Sequence, residues 1–95
     1  MHAAVHRYVA SEGSKQDLAE AAYRLGLSLA DARGFVAAVA IMGNGSLVTI
    51  RLFDDQATLL AAGVLADRWA AQNQLTSADS GNHVVIGEVV AQKGL

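Results

Sequence analysis

No cysteine occurs in the 95 residues of this chain. That excludes disulfides, thiolate catalysis and zinc–thiolate sites, and it agrees with a reducing cytoplasm. Aromatic residues make up only 5%, too few for a base-stacking platform. Basic residues are scarce as well: Lys and Arg total 7 against 9 Asp and Glu, for a net charge of −2. Such a balance does not attract phosphate backbones, so no nucleic-acid partner is expected. Long apolar runs are missing too. The longest, Phe35 to Met42, falls far short of the roughly 20 residues of a membrane span. His2, His6 and Arg7 interrupt the N-terminal apolar stretch, which is therefore read as no signal peptide. A cytoplasmic protein without a membrane partner is expected. No GxSxG elbow, HExxH pair or phosphate loop is present, and Gly43-Asn44-Gly45 is too short and too hairpin-like to cradle phosphate.

What the chain does have is apolar residues, at 53% against 17% charged. A small domain has much surface to cover, so this imbalance points to apolar surface covered by another subunit. The organising stretch is Gly34 to Asp55. Two apolar runs, Phe35 to Met42 and Leu47 to Phe53, flank Gly43-Asn44-Gly45-Ser46. An Asn-Gly pair between β-rich runs predicts a hairpin, because both central residues of a type I′ turn need positive φ. The same Asn44-Gly45-Ser46 fits a glycosylation sequon, but the turn is the better reading without a secretion signal. The runs do not alternate. Phe35, Ala37, Val39 and Ile41 are assigned to one face of the first strand, and Val36, Ala38, Ala40 and Met42 to the other. A sheet with one wet face would be polar at every second position. This sheet must be covered on both sides.

The rest of the chain follows in order. Met1 to Ala10 reads as a strand. Ser14 and Asp17 resemble a capping box. Leu18, Ala21, Ala22, Leu25 and Leu29 then form one helical stripe, and Glu20 and Arg24 a favourable i,i+4 pair. Gly26 is the candidate C-cap, which would leave Leu27 to Arg33 as a loop. Asp54-Asp55 supplies an N-cap for a second helix over Gln56 to Asn73. Its stripe is Leu59, Ala62, Gly63, Ala66, Trp69 and Ala70. Leu60, Val64 and Leu65 fall outside it, which points either to a partner surface or to a covering loop. His83 to Ala91 is the last strand, apolar on both faces.

Strand, helix, strand, strand, helix, strand is the split βαβ order. The fold class is therefore α+β: a single ferredoxin-like βαββαβ domain over residues 1–95, with both helices on one face of a four-stranded antiparallel sheet. The other face is too apolar to be left bare. A second copy of the same sheet is the simplest cover, giving a homodimer in the form of a dimeric α/β barrel.

The whole chain resembles the antibiotic biosynthesis monooxygenase-like group of dimeric α/β-barrel proteins. The matching pieces are Gly34-Phe35 opening the second strand, Gly45-Ser46-Leu47-Val48-Thr49 leaving the turn, Leu52-Phe53-Asp54-Asp55 entering the second helix, Trp69 within it, and Gly87-Glu88-Val89 in the last strand. Relatives often place Pro before the Gly-Phe pair, where Arg33 stands here. The resemblance implies a cofactor-independent monooxygenase acting on a small aromatic or polyketide-like molecule. Quinone-forming relatives use an Asn, a Trp and an Arg in the cavity. Trp69 is the candidate match for the Trp; the Asn and the Arg have no assigned counterpart. Haem-degrading relatives pair their Trp with an Asn on the first strand and a His after the second helix. The first strand here has no Asn and no His lies just after Trp69, so haem degradation is disfavoured. The alternative is a non-catalytic dimeric module that binds a small molecule or a partner.

Polar residues inside apolar strands are the candidate site: His6, Tyr8, Thr49, Arg51 and Glu88, with Trp69 facing them from the helix. His6 is the candidate base, Arg51 the anion partner, and Tyr8, Thr49, Trp69 and Glu88 the substrate-binding set. The competing reading makes Arg51 and Glu88 a structural ion pair and the aromatics ordinary core. No cofactor is called for. A metal site from His2, His6 and His83 is disfavoured, because His2 and His6 lie about 13 Å apart along a strand and no carboxylate cluster completes the shell. A cavity lined by His6, Arg51 and Trp69 together would favour the enzyme.

Overall fold

The computed structural model describes residues 1–9, 15–43, 46–73, 75–77 and 85–94. The proposed capping box at Ser14, the turn pair Asn44-Gly45, and His83 lie outside the described residues. The elements are β1 (His2–Val9), α1 (Lys15–Ala30), β2 (Phe35–Gly43), β3 (Ser46–Phe53), α2 (Gln56–Gln72), β4 (Thr76–Ser77) and β5 (Val85–Glu88). This is the expected α+β, ferredoxin-like order. The sheet runs β2-β3-β1 and is antiparallel throughout. Its fourth position is shared: β4 pairs Tyr8 and Val9, and β5 pairs His2 to Val5. A bond from Val89 N to the Met1 carbonyl carries the β5 side one step further (2.9 Å).

The register sets which residues share a face. Ala4, His6, Tyr8, Leu47, Arg51 and Phe53 alternate along β1 and β3, are all buried, and lie under the helices. Along β2 the expected faces are corrected at the start. Phe35 stands opposite Phe53, but the next partners are Ala37 and Leu52. Two residues of β2 thus span one of β3, which is a bulge. It turns Phe35 onto the face of Ala38, Ala40 and Met42, where its ring meets Phe53 edge-on (centroids 5.8 Å apart, 85°).

The first helix also departs from expectation. It runs through Gly26 to Ala30. A mid-helix glycine costs roughly 1 kcal/mol relative to alanine, while burying a leucine returns roughly 2 kcal/mol. Leu29 is 3% exposed, so continuing the stripe wins. The chain breaks instead at Gly34, whose φ is +80°. There a side chain would be strained by the backbone and would also put its Cβ 2.7 Å from Thr58 Oγ1. The Gly34 carbonyl accepts from Asp54 N (2.8 Å), tying the start of β2 to the end of β3.

Asp55 caps α2 as expected: its carboxylate accepts from Thr58 N (2.8 Å) and from Thr58 Oγ1 (3.0 Å). At the other end Asn73 closes the helix by donating its backbone N–H and its side-chain amide to the Trp69 carbonyl. Leu59, Ala62, Ala66, Trp69 and Ala70 are buried, the stripe read from the sequence, and Gly63 is half-buried. Leu60, Val64 and Leu65 are exposed; among the described residues nothing folds over them.

Candidate functional site

Arg51 sits in the middle of β3 with its side chain on the helix-covered face, 6% exposed. Its strand neighbours across the sheet are Ala4 and Ala38. Above it lies Gly63 of α2, where an added Cβ would stand 3.1 Å from Arg51 Nη2. Two alanines and a glycine therefore make the slot in which a guanidinium can lie between sheet and helix. Sequence reasoning overlooked this trio. Its signal was a glycine inside the buried stripe of a helix, a residue that costs stability and so calls for a packing reason.

The guanidinium meets His6 rather than an acid. Arg51 Nη1 donates to His6 Nδ1 (3.2 Å). Arginine only donates, so this ring nitrogen is the acceptor and the ring proton sits on Nε2. The expected Arg51–Glu88 pair is not made: Glu88 is exposed on β5, opposite His2, with β1 between it and β3. Arg51 Nε is buried and has no hydrogen-bond partner. Burial pushes the Arg51 pKa down, against the opposing pull of Tyr8 and Asp67. The guanidinium stays protonated regardless, so a cation is held in the core without a contacting carboxylate among the described residues.

Next to this pair stand the aromatics. The His6 and Tyr8 rings stack (5.5 Å, 17°), and Tyr8 meets Trp69 edge-on (6.2 Å, 71°). Trp69 Nε1 donates to the Ala21 carbonyl (2.9 Å), so this ring also fastens α2 to α1. Burial raises the Tyr8 pKa; the Arg51 charge and a hydrogen bond from Thr49 work the other way, and the Asp67 charge adds to the rise.

Two hollows flank the cluster. One, of about 430 Å³, lies between α1 and the β2–β3 hairpin; Arg51 and Thr49 supply its polar wall, and Leu25, Phe35, Met42 and Leu47 are among its apolar lining. The other, about 540 Å³, is an outer groove between α1 and α2 that includes Trp69, Arg24 and Arg68. His6 and Tyr8 line neither. The six candidate residues are thus divided. Arg51 and Thr49 face the first cavity, Trp69 faces the groove, His6 and Tyr8 are packed between them, and Glu88 is at the sheet's edge. Among the described residues no three His, Asp or Glu side chains could hold a metal ion together.

The opposite face of the sheet carries no such cluster. Val9, Val39, Ile41 and Val85 are each at least half exposed there. Among the described side chains Arg7 is its one charge. Nor is any described helix long and apolar enough to cross a membrane.

No protein-family model matches the chain, and no curated protein matches it by sequence. Solved structures do share its fold. One is SnoaB, a cofactor-independent oxygenase from Streptomyces nogalater, in a point-mutant form: 21% identical, TM-score 0.68, covering 99% of this chain and 95% of that one. Another is a candidate antibiotic biosynthesis monooxygenase from Deinococcus radiodurans: 11% identical, TM-score 0.66, covering 99% of this chain and all of the other (100%). At these identities the likeness is one of fold, over the full length of each chain.

Proposed function

We propose that this chain is a homodimeric, cofactor-independent oxygenase of the antibiotic biosynthesis monooxygenase-like kind, acting in the cytoplasm on a small hydroxylated aromatic molecule. The substrate occupies the cavity between α1 and the hairpin. One observation carries the reading: the guanidinium-bearing side chain of Arg51, buried and without a contacting carboxylate among the described residues, lines a mostly apolar cavity of about 430 Å³. Such a site suits a flat apolar body that bears one anionic oxygen. The likeness in fold to SnoaB supports the reaction type.

The chemistry needs little from the protein. A ring CH₂ conjugated through the aromatic rings to a carbonyl across the ring loses a proton to solvent, and Arg51 stabilises the resulting enolate. The carbanion form passes an electron to O₂, the two radicals join in a C–O bond, and the hydroperoxide loses water. The CH₂ becomes C=O, one oxygen atom enters the product and the other leaves as water. All four electrons come from the substrate. His6 acts on this step by orienting Arg51 through its Nδ1, a different part from that of the base; Thr49 lines the same wall.

The homodimer rests on the bare face. A second copy would cover Val9, Val39, Ile41 and Val85 from its own matching face, in an interface that typically removes about 1,600 Å² from water.

No His, Asp or Glu lines the cavity among the described residues, and that favours one other reading, a non-catalytic binding module. Oxygen uptake separates the two. With a three-ring hydroxylated anthrone and a chelator present, the enzyme consumes one O₂ per substrate. Arg51→Met lowers uptake about 100-fold while keeping its fold, because it removes an unpaired buried charge. Binding without uptake establishes the module, and unchanged uptake in Arg51→Met ends the site assignment.

A further inference from the structure

Two glycines lie inside helices, and their surroundings differ. At Gly63 of α2 an added Cβ would press on Arg51 Nη2 at 3.1 Å. At Gly26 of α1 it would meet nothing within 4 Å. Nor does the backbone ask for glycine there, since the positive-φ glycines among the described residues are Gly34 and Gly94. Gly26 follows the half-buried Ala22 by four residues and precedes the buried Leu29 by three, on the side of α1 turned to the hairpin. All three line the 430 Å³ cavity. The open space beside Gly26 is therefore space a ligand can occupy. Glycine is the worst helix former after proline, so α1 is weakened at a position where a side chain would take up cavity volume.

We infer that Gly26 is a specificity-determining residue: the missing side chain in α1 sets the upper size of the aromatic body admitted beside Arg51. This rests on the cavity being the ligand site, as proposed above. The lining also includes small residues from the other elements, Ala38 and Ala40 on β2 and Ala66 on α2. A cavity narrowed at residue 26 would hold fewer fused rings than one left open there. Arg51 takes the ligand's phenolate or enolate oxygen.

The test uses the full chain as wild type, Gly26→Ala and Gly26→Leu. Calorimetry measures binding of 1-naphthol, 1-hydroxyanthraquinone and 6-hydroxytetracene-5,12-dione, which carry two, three and four rings. Gly26→Ala keeps 1-naphthol affinity within about twofold and weakens the four-ring probe about tenfold. Gly26→Leu weakens the three-ring probe as well. The melting temperature of Gly26→Ala rises by about 4 °C, because alanine takes helical φ and ψ without strain. Equal weakening of all three probes, no weakening of any, or a fall in melting temperature overturns the inference. If the wild type binds none of the probes, the cavity reading falls and takes this role with it. If the wild type binds and the variants bind alike, only the role of Gly26 falls.

Discussion

The helix-covered face of the sheet holds Ala4, His6, Tyr8, Leu47, Arg51 and Phe53, all nearly out of contact with water. The opposite face is built from the alternate residues of the same strands. It shows Val9, Val39, Ile41 and Val85 to solvent, with exposures of 50, 52, 54 and 58%. Polarity is thus placed against the ordinary rule for one chain. The side with a cover of its own carries a cation, an imidazole and a phenol; the side without one carries almost nothing that hydrogen-bonds. The difference separates two tasks. Buried polar groups that hold one another in place suit the proposed site, and an apolar face with a single charge among its described side chains suits the proposed contact with a second copy. Exchanging the properties of the faces is the way to test this division. The largest effect is expected from charging the bare side. Val39→Asp with Ile41→Asp puts two carboxylates from each protomer into the proposed interface, more than the one Arg7 of each copy can neutralise. Sedimentation should show the dimer weakened about a thousandfold, because unpaired buried charges are strongly penalised. A double variant that sediments like the wild type breaks the comparison, since the bare face would then be no interface.

On the covered side the sharper question is what His6 does for Arg51. Their contact is a single hydrogen bond of 3.2 Å, and its loss frees the guanidinium to swing away from the cavity wall. His6→Leu should weaken binding of 1-hydroxyanthraquinone about tenfold, the usual worth of a hydrogen bond to a charged group. His6→Gln offers an amide oxygen as acceptor and should restore most of that loss. A role confined to packing predicts the reverse order, with leucine tolerated and glutamine not. Because neither substitution touches the bare face, the dimer should sediment unchanged in both.

This division was half legible in the sequence. Strands that do not alternate, as in Phe35 to Met42, already announce a sheet apolar on both sides, and the periodicity of α2 identified its buried stripe through Trp69 and Ala70. Local rules failed where a distant contact outweighed them. Gly26 looks like a helix end, but Leu29, three residues later, has core to gain. Alternation alone puts Phe35 on the wrong face, because a bulge inserts a residue without leaving any mark on the hydrophobic pattern. The site suffered most. His6, Arg51 and Trp69 stand out in the sequence as polar or aromatic residues among apolar ones, yet which of them reaches the cavity depends on side-chain direction. That depends in turn on Ala4, Ala38 and Gly63, which have no chemistry of their own to draw the eye. Charge alone suggests an Arg51–Glu88 pair; register puts β1 between the two.

The smallest effect expected is at the start of α2, the element that provides much of the cover on the polar side. Asp55 accepts hydrogen bonds from Thr58, which hold its carboxyl below the usual aspartate value, with a further contribution from the charge of His2. A lowered pKa means that the cap's contribution is complete above the unfolded value and disappears as pH falls through the folded one. Asp55→Ala should therefore lower the melting temperature by about 4 °C at neutral pH, measured at equal protein concentration because a dimer's stability depends on it. The gap between wild type and variant should close as the solution is acidified past the aspartate range. Asp55→Asn separates the cap from its charge. Asparagine is as good an N-cap, so it should keep the neutral-pH stability and lose the pH dependence. An Asp55→Ala variant that differs from wild type equally at pH 7 and pH 3 would show that the carboxylate acts through packing. Charge at the helix start would then have no part in holding the cover over Arg51 in place.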